Sequence, residues 1–174
     1  MRCITSGLDS SGLDLSRTQA HYTVMDRGLS DPCADRNMVA VSNPSRIDPT
    51  LTDRDNRIIV HAYGAGCESY EPWRKYETSE AKSYDSLEYQ QAKLEGSAYL
   101  YRSVSKALGI SIDEVKSRSE VALIGSPLTH KRYLNRFEGT YWPTFRDTLQ
   151  GPLTPIEGLY LTGDSTFPGT TIIL

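Results

Sequence analysis

The hydrophobic pattern in the first half of the chain has a period of two, which is typical of β-strands. Short runs rich in β-branched residues lie at 21–25, 38–41 and 57–63. The run RIIVHAY at 57–63 gives the strongest strand prediction, because polar residues precede it and Gly64-Ala65-Gly66 follows it. We predict that these runs form an antiparallel sheet.

Residues 1–18 show no sustained periodicity and are rich in Ser, Gly and Asp. This composition predicts a flexible lead-in, or else a broken remnant of an upstream element.

The period changes between Ser83 and Leu108, where apolar residues recur three or four apart with Glu, Lys, Gln and Arg between them. This pattern predicts one long amphipathic helix, closed by Gly109 as a left-handed C-cap. Gly96 lies inside the helix, where glycine costs about 1 kcal/mol relative to alanine. We therefore expect a kink or a close packing contact at Gly96.

A strand that returns to the sheet is predicted before Gly125, within a less regular run that begins at Val115. Ser126 followed by Pro127 is typical of a helix N-cap and first helical position, and this short helix should extend to about Arg136. Residues 139–155 have the glycines and prolines of a loop. A last apolar run at 159–161 predicts a strand that leads into Gly163-Asp164.

Length and charge set broad bounds on the class of protein. The chain has 174 residues, 38% hydrophobic content and a formal net charge of −3, which fit one ordinary globular domain. The absence of a basic block argues against nucleic acid as a partner, and no apolar run reaches the roughly 18 residues of a membrane-spanning helix. The cysteines Cys3, Cys33 and Cys67 are too widely spaced to indicate a disulfide framework or a CxxC metal site.

The turn after the last strand has the residue types of a ligand loop. Gly163 permits a close approach of backbone to a bound group, and Asp164 offers acceptors for sugar or ribityl hydroxyls. The amides that follow, near Pro168, could face a pyrophosphate or a flavin carbonyl. The pattern by itself fits a plain turn equally well.

Two other features have simpler interpretations. Gly64-Ala65-Gly66 lacks the third glycine of a dinucleotide fingerprint, since Ser69 stands there, so we predict a tight turn. His61 shares a strand face with Ile59 and Tyr63, where it could line a substrate cavity, although a wall or core position is favoured. His130 is expected at the surface or as a loop anchor.

Aromatic residues cluster in two segments and could wall a tunnel for a long apolar substrate, but an ordinary core and rim is the favoured interpretation. They are Tyr63, Tyr70, Trp73, Tyr76, Tyr141, Trp142 and Phe145.

Several short motifs of the sequence resemble, in the same order, motifs in the C-terminal part of the FAD-dependent carotenoid oxidoreductases. The resemblance is closest to the carotenoid cis-trans isomerases of the prolycopene isomerase type. The last motif, PIEGLYLTGDSTFPG, resembles the flavin-binding segment of that family. The earlier motifs are Asn43-Pro44-Ser45, Asp48-Pro49, His61-Ala62-Tyr63, Gly125-Ser126-Pro127-Leu128-Thr129-His130 and Gly139-Thr140-Tyr141.

The resemblance implies an α+β fold. Its substrate domain would contain a mixed or antiparallel sheet with one long and one short helix, followed by the returning strand of an FAD/NAD(P)-binding, Rossmann-like domain. The implied boundaries are a lead-in at 1–18, a substrate-domain portion at 19–155 and an incomplete flavin-binding segment at 156–174. The nucleotide-binding half and the helix that follows Gly169 in the family are expected to lie outside this chain, so the chain alone is expected to be inactive and to bind FAD weakly or not at all.

The resemblance also implies a chemistry. FAD would be the cofactor of this flavoprotein, held by Tyr141 and by the loop Gly163, Asp164, Ser165, Thr166, Phe167, Pro168 and Gly169. An apolar polyene would lie against His61 and Tyr63, and its cis-trans isomerisation would use the reduced flavin without net oxidation. Trp142 departs from the small residue usual after Gly-Thr-Tyr.

Alternatives remain open at this point. The parent protein could be a phytoene desaturase or a retinol saturase, and the chain could be a non-catalytic remnant that binds lipid or a protein partner. No acid or base is identified. The family also implies a possible peripheral membrane contact. It implies a plastid location if the organism is a photosynthetic eukaryote, and otherwise a cytoplasmic or membrane-associated one.

Overall fold

The computed structural model describes residues 2–64, 68–77, 85–139 and 152–160. The chain divides into two compact units, Met1–Gly139 and Thr140–Leu174. The strands of the first unit are β1 Cys3–Asp9, β2 His21–Met25, β3 Met38–Ser42, β4 Arg57–Gly64 and β5 Ser119–Gly125. Its α-helices are α1 Glu71–Arg74, α2 Leu87–Gly96, α3 Ala98–Leu108, α4 Ile112–Arg118 and α5 Pro127–Leu134, and short 3-10 turns lie at Pro44–Arg46, Pro49–Leu51 and Phe137–Gly139.

Within the described residues the strands form one sheet in the order β2-β3-β4-β1-β5. Every neighbouring pair is antiparallel. The α+β class and the antiparallel sheet predicted from the alternating runs are therefore confirmed.

The prediction of a flexible lead-in is wrong for Cys3–Asp9, which forms β1 between β4 and β5. Its Ile4 and Leu8 are buried at 2% and 1% exposure, and Ser6 between them donates a hydrogen bond to the Val121 carbonyl at 3.0 Å. The serine and glycine content concealed the strand, because β1 takes its stability from two flanking strands rather than from its own propensity.

The core fills the space between one sheet face and two helices. Isoleucine and valine side chains of the sheet pack against α3 and α4, which contribute Leu100, Val104 and Val115, all at 3% exposure or less. α3 is strongly amphipathic, so one stripe of the helix covers the sheet.

The long helix predicted from 83 to 108 is two helices in the structure. α2 ends at Gly96, and Ser97 is both the C-cap of α2 and the N-cap of α3. Ser97 is fully buried and its hydroxyl donates to the Leu94 carbonyl at 2.7 Å. The close packing contact expected at Gly96, where a Cβ would overlap the Arg2 guanidinium, and the left-handed C-cap at Gly109, with φ of 70°, are both confirmed.

The polar residues between α3 and β5 form α4, a helix that the sequence pattern did not predict. Val115, which we placed in the run leading to β5, belongs to this helix. Ser111 caps α4 by accepting from the Glu114 amide at 3.1 Å. The predicted strand before Gly125 and the short helix opened by Ser126 and Pro127 are confirmed as β5 and α5.

A second, aromatic cluster lies among α1, α2 and α5. Tyr70, Trp73, Tyr76 and Tyr89 are each no more than 6% exposed and pack with Leu128. The favoured interpretation of an ordinary core is therefore correct for Tyr70, Trp73 and Tyr76.

The described part of the second unit is a short turn. An isolated antiparallel bridge joins Leu153 and Tyr160, and the Thr154 hydroxyl donates to the Leu159 carbonyl at 2.8 Å. The boundaries predicted at 18/19 and 155/156, and the Rossmann-like return of the chain, stay predictions.

Candidate functional site

One face of the central strands carries the residues that can meet a ligand. The antiparallel registers place Thr5 of β1 opposite His61 of β4 and opposite Leu123 of β5. Directly opposed residues of an antiparallel pair share a face, so these side chains lie in one row across β4, β1 and β5. We call this surface the open face; its further members are Cys3, Gly7, Ile59, Tyr63 and Val121.

The open face is apolar and accessible. Ile59, His61 and Tyr63 are partly exposed and alternate with the buried Ile58, Val60 and Ala62. On the adjacent edge strand, Val121 is 58% exposed and Leu123 is 66% exposed. A ligand bound here would meet a hydrophobic surface.

The open face continues into a cavity of about 390 Å³ at one end of the strands. Ile59, Gly7 and Val121 line it together with the loop residues 51–54. A Cβ built on Gly7 would meet no atom within 4 Å, so space is available above β1. This volume lies within the range of small-molecule pockets, roughly 300–1,000 Å³.

An ion-pair network lies at the same end of the strands, at the rim of the cavity. Arg57 lies 3.1 Å from Asp9 Oδ1 and also binds both carboxylate oxygens of Glu120. These contacts join β4, β1 and β5, so the cavity has an apolar floor and a charged rim.

His61 is oriented by a residue that the sequence did not suggest. Its Nδ1 lies 2.7 Å from the Thr5 hydroxyl, and its ring centroid is 5.5 Å from that of Tyr63. Burial lowers the pKa of His61, so the imidazole is neutral at pH 7. A neutral ring fixed by Thr5 presents no charge to an apolar ligand.

The structure places His61 and Tyr63 together on one strand face, as predicted, and their role in substrate binding stays a prediction. Thr5, Cys3 and Gly7 were missed because β1 was assigned to the lead-in. The spacing of Ile4 and Leu8 is the signal that could have identified this strand.

Cys3 and His130 meet at the far end of the open face, with Sγ 3.7 Å from Nε2. His130 is 9% exposed, so the expectation of a surface position is wrong. Burial raises the pKa of Cys3 and lowers the pKa of His130 to about 4. Both groups are therefore neutral near pH 7, and the pair lacks the thiolate of a cysteine nucleophile.

Gly125 permits this contact. A Cβ at Gly125 would lie 2.6 Å from the Cys3 sulfur and 3.4 Å from His130 Nε2. The adjoining Ser126 and Thr129 form a capping box, each backbone amide donating to the other side chain at 3.1 Å. The motif from Gly125 to His130 therefore fixes the start of α5 against the sheet.

The motif Asn43-Pro44-Ser45 lies in the loop that joins β3 to β4 across the end of the sheet. Asn43 is 1% exposed, and the Ser45 hydroxyl accepts from the Ile59 amide at 2.8 Å. Asp48 caps the next turn by accepting from the Thr50 amide at 2.9 Å. These residues hold the loop that borders the cavity.

The predicted flavin-binding residues, Tyr141 and Gly163 to Gly169, lie outside the described residues. Among the residues that are described, no cluster of His, Cys, Asp or Glu has the arrangement of a metal site. The helices found in that part of the chain are all too short or too polar to cross a bilayer.

Comparison with curated proteins confirms the resemblance. The chain is similar to a chloroplastic prolycopene isomerase of Arabidopsis thaliana, with 31% identity over 165 residues that cover 90% of this chain and 25% of the relative. It is also 28% identical over 162 residues to a chloroplastic prolycopene isomerase of Daucus carota, covering 90% of this chain and 24% of the relative. A chloroplastic prolycopene isomerase of an Oncidium hybrid cultivar is also 28% identical over 162 residues, and the match covers 90% of this chain and 25% of that relative. No family model matches.

The chain thus spans about a quarter of the length of the curated relatives it matches. It is related to prolycopene isomerases across most of its own length.

Proposed function

We propose that this chain provides the substrate wall of an FAD-dependent carotenoid cis-trans isomerase, with the open face as the surface on which the polyene lies. The observation that carries the proposal is the exposed apolar row across β4, β1 and the edge strand β5, including Leu123 at 66% exposure. The relatives named as prolycopene isomerases indicate the kind of molecule that would lie there.

The physical fit is between a long, rigid, apolar molecule and a flat, apolar surface. Burial of apolar area contributes about 25 cal/mol per Å². The row of Val121, Leu123 and Ile59 supplies such area. The neutral imidazole of His61, held by Thr5, adds an aromatic surface without the cost of burying a charge.

FAD belongs to the proposal on sequence grounds. The loop Gly163 to Gly169 and Tyr141 would hold the flavin. This assignment is supported by the resemblance of these motifs to the family's flavin-binding segment, in which the chain returns to a Rossmann-like domain. Bound flavin would supply the redox chemistry, and the open face would orient the polyene and exclude water. A plastid location would follow for a photosynthetic eukaryote, as for the chloroplastic relatives.

Polyene binding is the direct test. The purified chain, in mild detergent, is mixed with a cis-carotenoid, and binding is followed by the shift of the polyene absorption band and by quenching of protein fluorescence. Leu123→Lys places a charge on the open face and is expected to weaken binding at least about tenfold, which corresponds to about 1.4 kcal/mol. Leu87→Lys is the matched control, since Leu87 is 88% exposed on α2.

Equal affinity of both variants and the unchanged chain would refute the assignment of the open face. The flavin is tested separately by the absorbance of the chain with excess FAD, with Asp164→Ala as control. In a full-length protein that carries this segment, a product of unchanged mass indicates isomerisation, whereas a product lighter by two hydrogens indicates a desaturase.

A further inference from the structure

The cavity beside the open face combines an apolar floor with a charged wall. Gly7 and Val121 continue the open face into the floor, and Arg57 and Glu120 stand beside them. The open face runs for roughly 14 Å along β1, from Cys3 to Gly7, before it reaches these charges. A rigid molecule that lies along the strands therefore brings one of its ends to a polar wall.

Arg57 has most of its hydrogen-bond donors engaged within the protein. Its Nε and Nη2 donate to the two carboxylate oxygens of Glu120. Its Nη1 donates to the Asn56 carbonyl at 3.2 Å and lies 3.1 Å from Asp9 Oδ1. These four contacts occupy most of the N–H groups of a guanidinium, so Arg57 has little left to offer to an anionic ligand.

Glu120, in contrast, keeps acceptor capacity at the cavity wall. Its side chain is 53% exposed, and the hydrogen bonds described for its oxygens are those from Arg57. Each carboxylate oxygen has two lone pairs, so each can accept one more hydrogen bond. The open position on this wall is thus an acceptor, which suits a ligand that brings a donor.

The charges around this end of the strands favour an uncharged donor. Among the described residues, four carboxylates and three guanidinium groups form the ion pairs here. The pairs are Arg57 with Asp9 and Glu120, Arg54 with Asp53, and Arg118 with Glu114. The excess of one negative charge repels a carboxylate at the end of a ligand. A hydrocarbon end would displace water from these groups without replacing its hydrogen bonds, and a hydroxyl avoids both penalties.

We propose that the polyene on the open face carries a hydroxyl group at the end that enters the cavity, where the hydroxyl donates to the Glu120 carboxylate. The ligand class is thus a carotenoid alcohol rather than a pure hydrocarbon or a carotenoid acid. This inference rests on the proposed function, because it requires that the polyene lie on the open face.

The test compares two carotenoids that differ only in their end groups. β-Carotene and zeaxanthin share one carbon skeleton, and zeaxanthin carries a hydroxyl on each terminal ring. Binding to the purified chain in mild detergent is followed by the shift of the polyene absorption band. We expect zeaxanthin to bind about tenfold more tightly than β-carotene, because it gains a hydrogen bond to a charged acceptor.

Glu120→Gln removes the charge and keeps the size of the side chain. We expect it to reduce the preference for zeaxanthin to about twofold or less, since a neutral acceptor forms a weaker hydrogen bond. It should leave β-carotene binding nearly unchanged and strengthen binding of the dicarboxylate norbixin. Glu88→Gln is the matched control, because Glu88 also pairs with a cation, Lys75, at 2.6 Å on the exposed side of α2. It should alter none of these affinities.

The outcomes separate this inference from the proposed function. Equal binding of β-carotene and zeaxanthin, or a preference for zeaxanthin that survives Glu120→Gln, would overturn the inference and leave the open face as a polyene surface. Binding of neither carotenoid would overturn the proposed function and the inference with it. The ratio between variants cancels any difference in how the two carotenoids partition into detergent, and far-UV circular dichroism verifies that each variant is folded.

Discussion

Replacing Gly96 by alanine tests how the helices are joined to the sheet. Gly96 ends α2, and a Cβ there would overlap the guanidinium of Arg2. Arg2 is 4% exposed, lies with Nε 2.7 Å from Glu68 Oε1, and stacks 4.8 Å from the centre of the Trp73 ring. An arginine side chain is flexible in solution, but here burial, the ion pair and the ring hold it in place.

Two opposing effects determine the magnitude. Alanine is favoured over glycine in a helix by about 1 kcal/mol. Displacing the guanidinium leaves Glu68, whose side chain is 5% exposed, buried without its cation, and breaking a buried ion pair in this way costs about 3–5 kcal/mol. We therefore expect Gly96→Ala to lower the free energy of unfolding by about 2–4 kcal/mol, which corresponds to a fall in Tm on the order of 10 °C for a chain of this size.

Urea and thermal unfolding followed by far-UV circular dichroism measure the effect. Gly7→Ala is the matched control, because a Cβ at Gly7 meets no atom within 4 Å, and it should change stability by less than about 0.5 kcal/mol. In a background with Arg2→Met and Glu68→Gln, Gly96→Ala should cost much less. A Gly96→Ala variant as stable as the unchanged chain would show that the Arg2 contact does not constrain this junction.

Two further predictions concern α5. Ser126→Ala removes the capping box and the bond to Tyr89, and should cost about 1–2 kcal/mol in urea unfolding, more than Ser86→Ala at the exposed start of α2. His130 has a pKa lowered to about 4, so the unfolded chain binds more protons between about pH 6.5 and 4 and stability falls as pH falls through that window. His130→Gln should flatten the change in urea midpoint between pH 7 and 5, and an unchanged slope would contradict the assignment to His130.

The elements that the sequence predicted well are those whose signal is local. β4 has alternating β-branched residues between polar and glycine boundaries, and α5 has a serine cap followed by proline. Gly109 was identified as a C-cap because a left-handed backbone suits glycine. Each of these signals depends on neighbours in sequence, and tertiary packing agrees with them.

The errors arose where tertiary contacts decide the structure. β1 looks like a polar loop because Ser6 and Gly7 interrupt its apolar residues, yet hydrogen bonds to β4 and β5 stabilise it from both sides. The predicted helix from 83 to 108 divides at the buried Ser97, next to Gly96, where the Arg2 side chain occupies the position that a Cβ would take. A contact between residues 94 positions apart leaves no trace in a local periodicity.

The candidate site was predicted in part for the same reason. His61 and Tyr63 could be assigned to one face from the alternation along β4, but the extent of that face depends on which strands lie beside it. Thr5 joins the site only because β1 pairs with β4 in the observed register.

β1 therefore serves both the core and the candidate site through its alternation. Ile4 and Leu8 support the core with α3 and α4, whereas Thr5 and Gly7 face the open side. A substitution on the core side should alter stability first, and one on the open side should alter ligand binding with little change in unfolding. Leu123 lies on the open side of the sheet, where the core does not depend on its side chain. A loss of polyene binding in Leu123→Lys would therefore report on the ligand surface and not on unfolding.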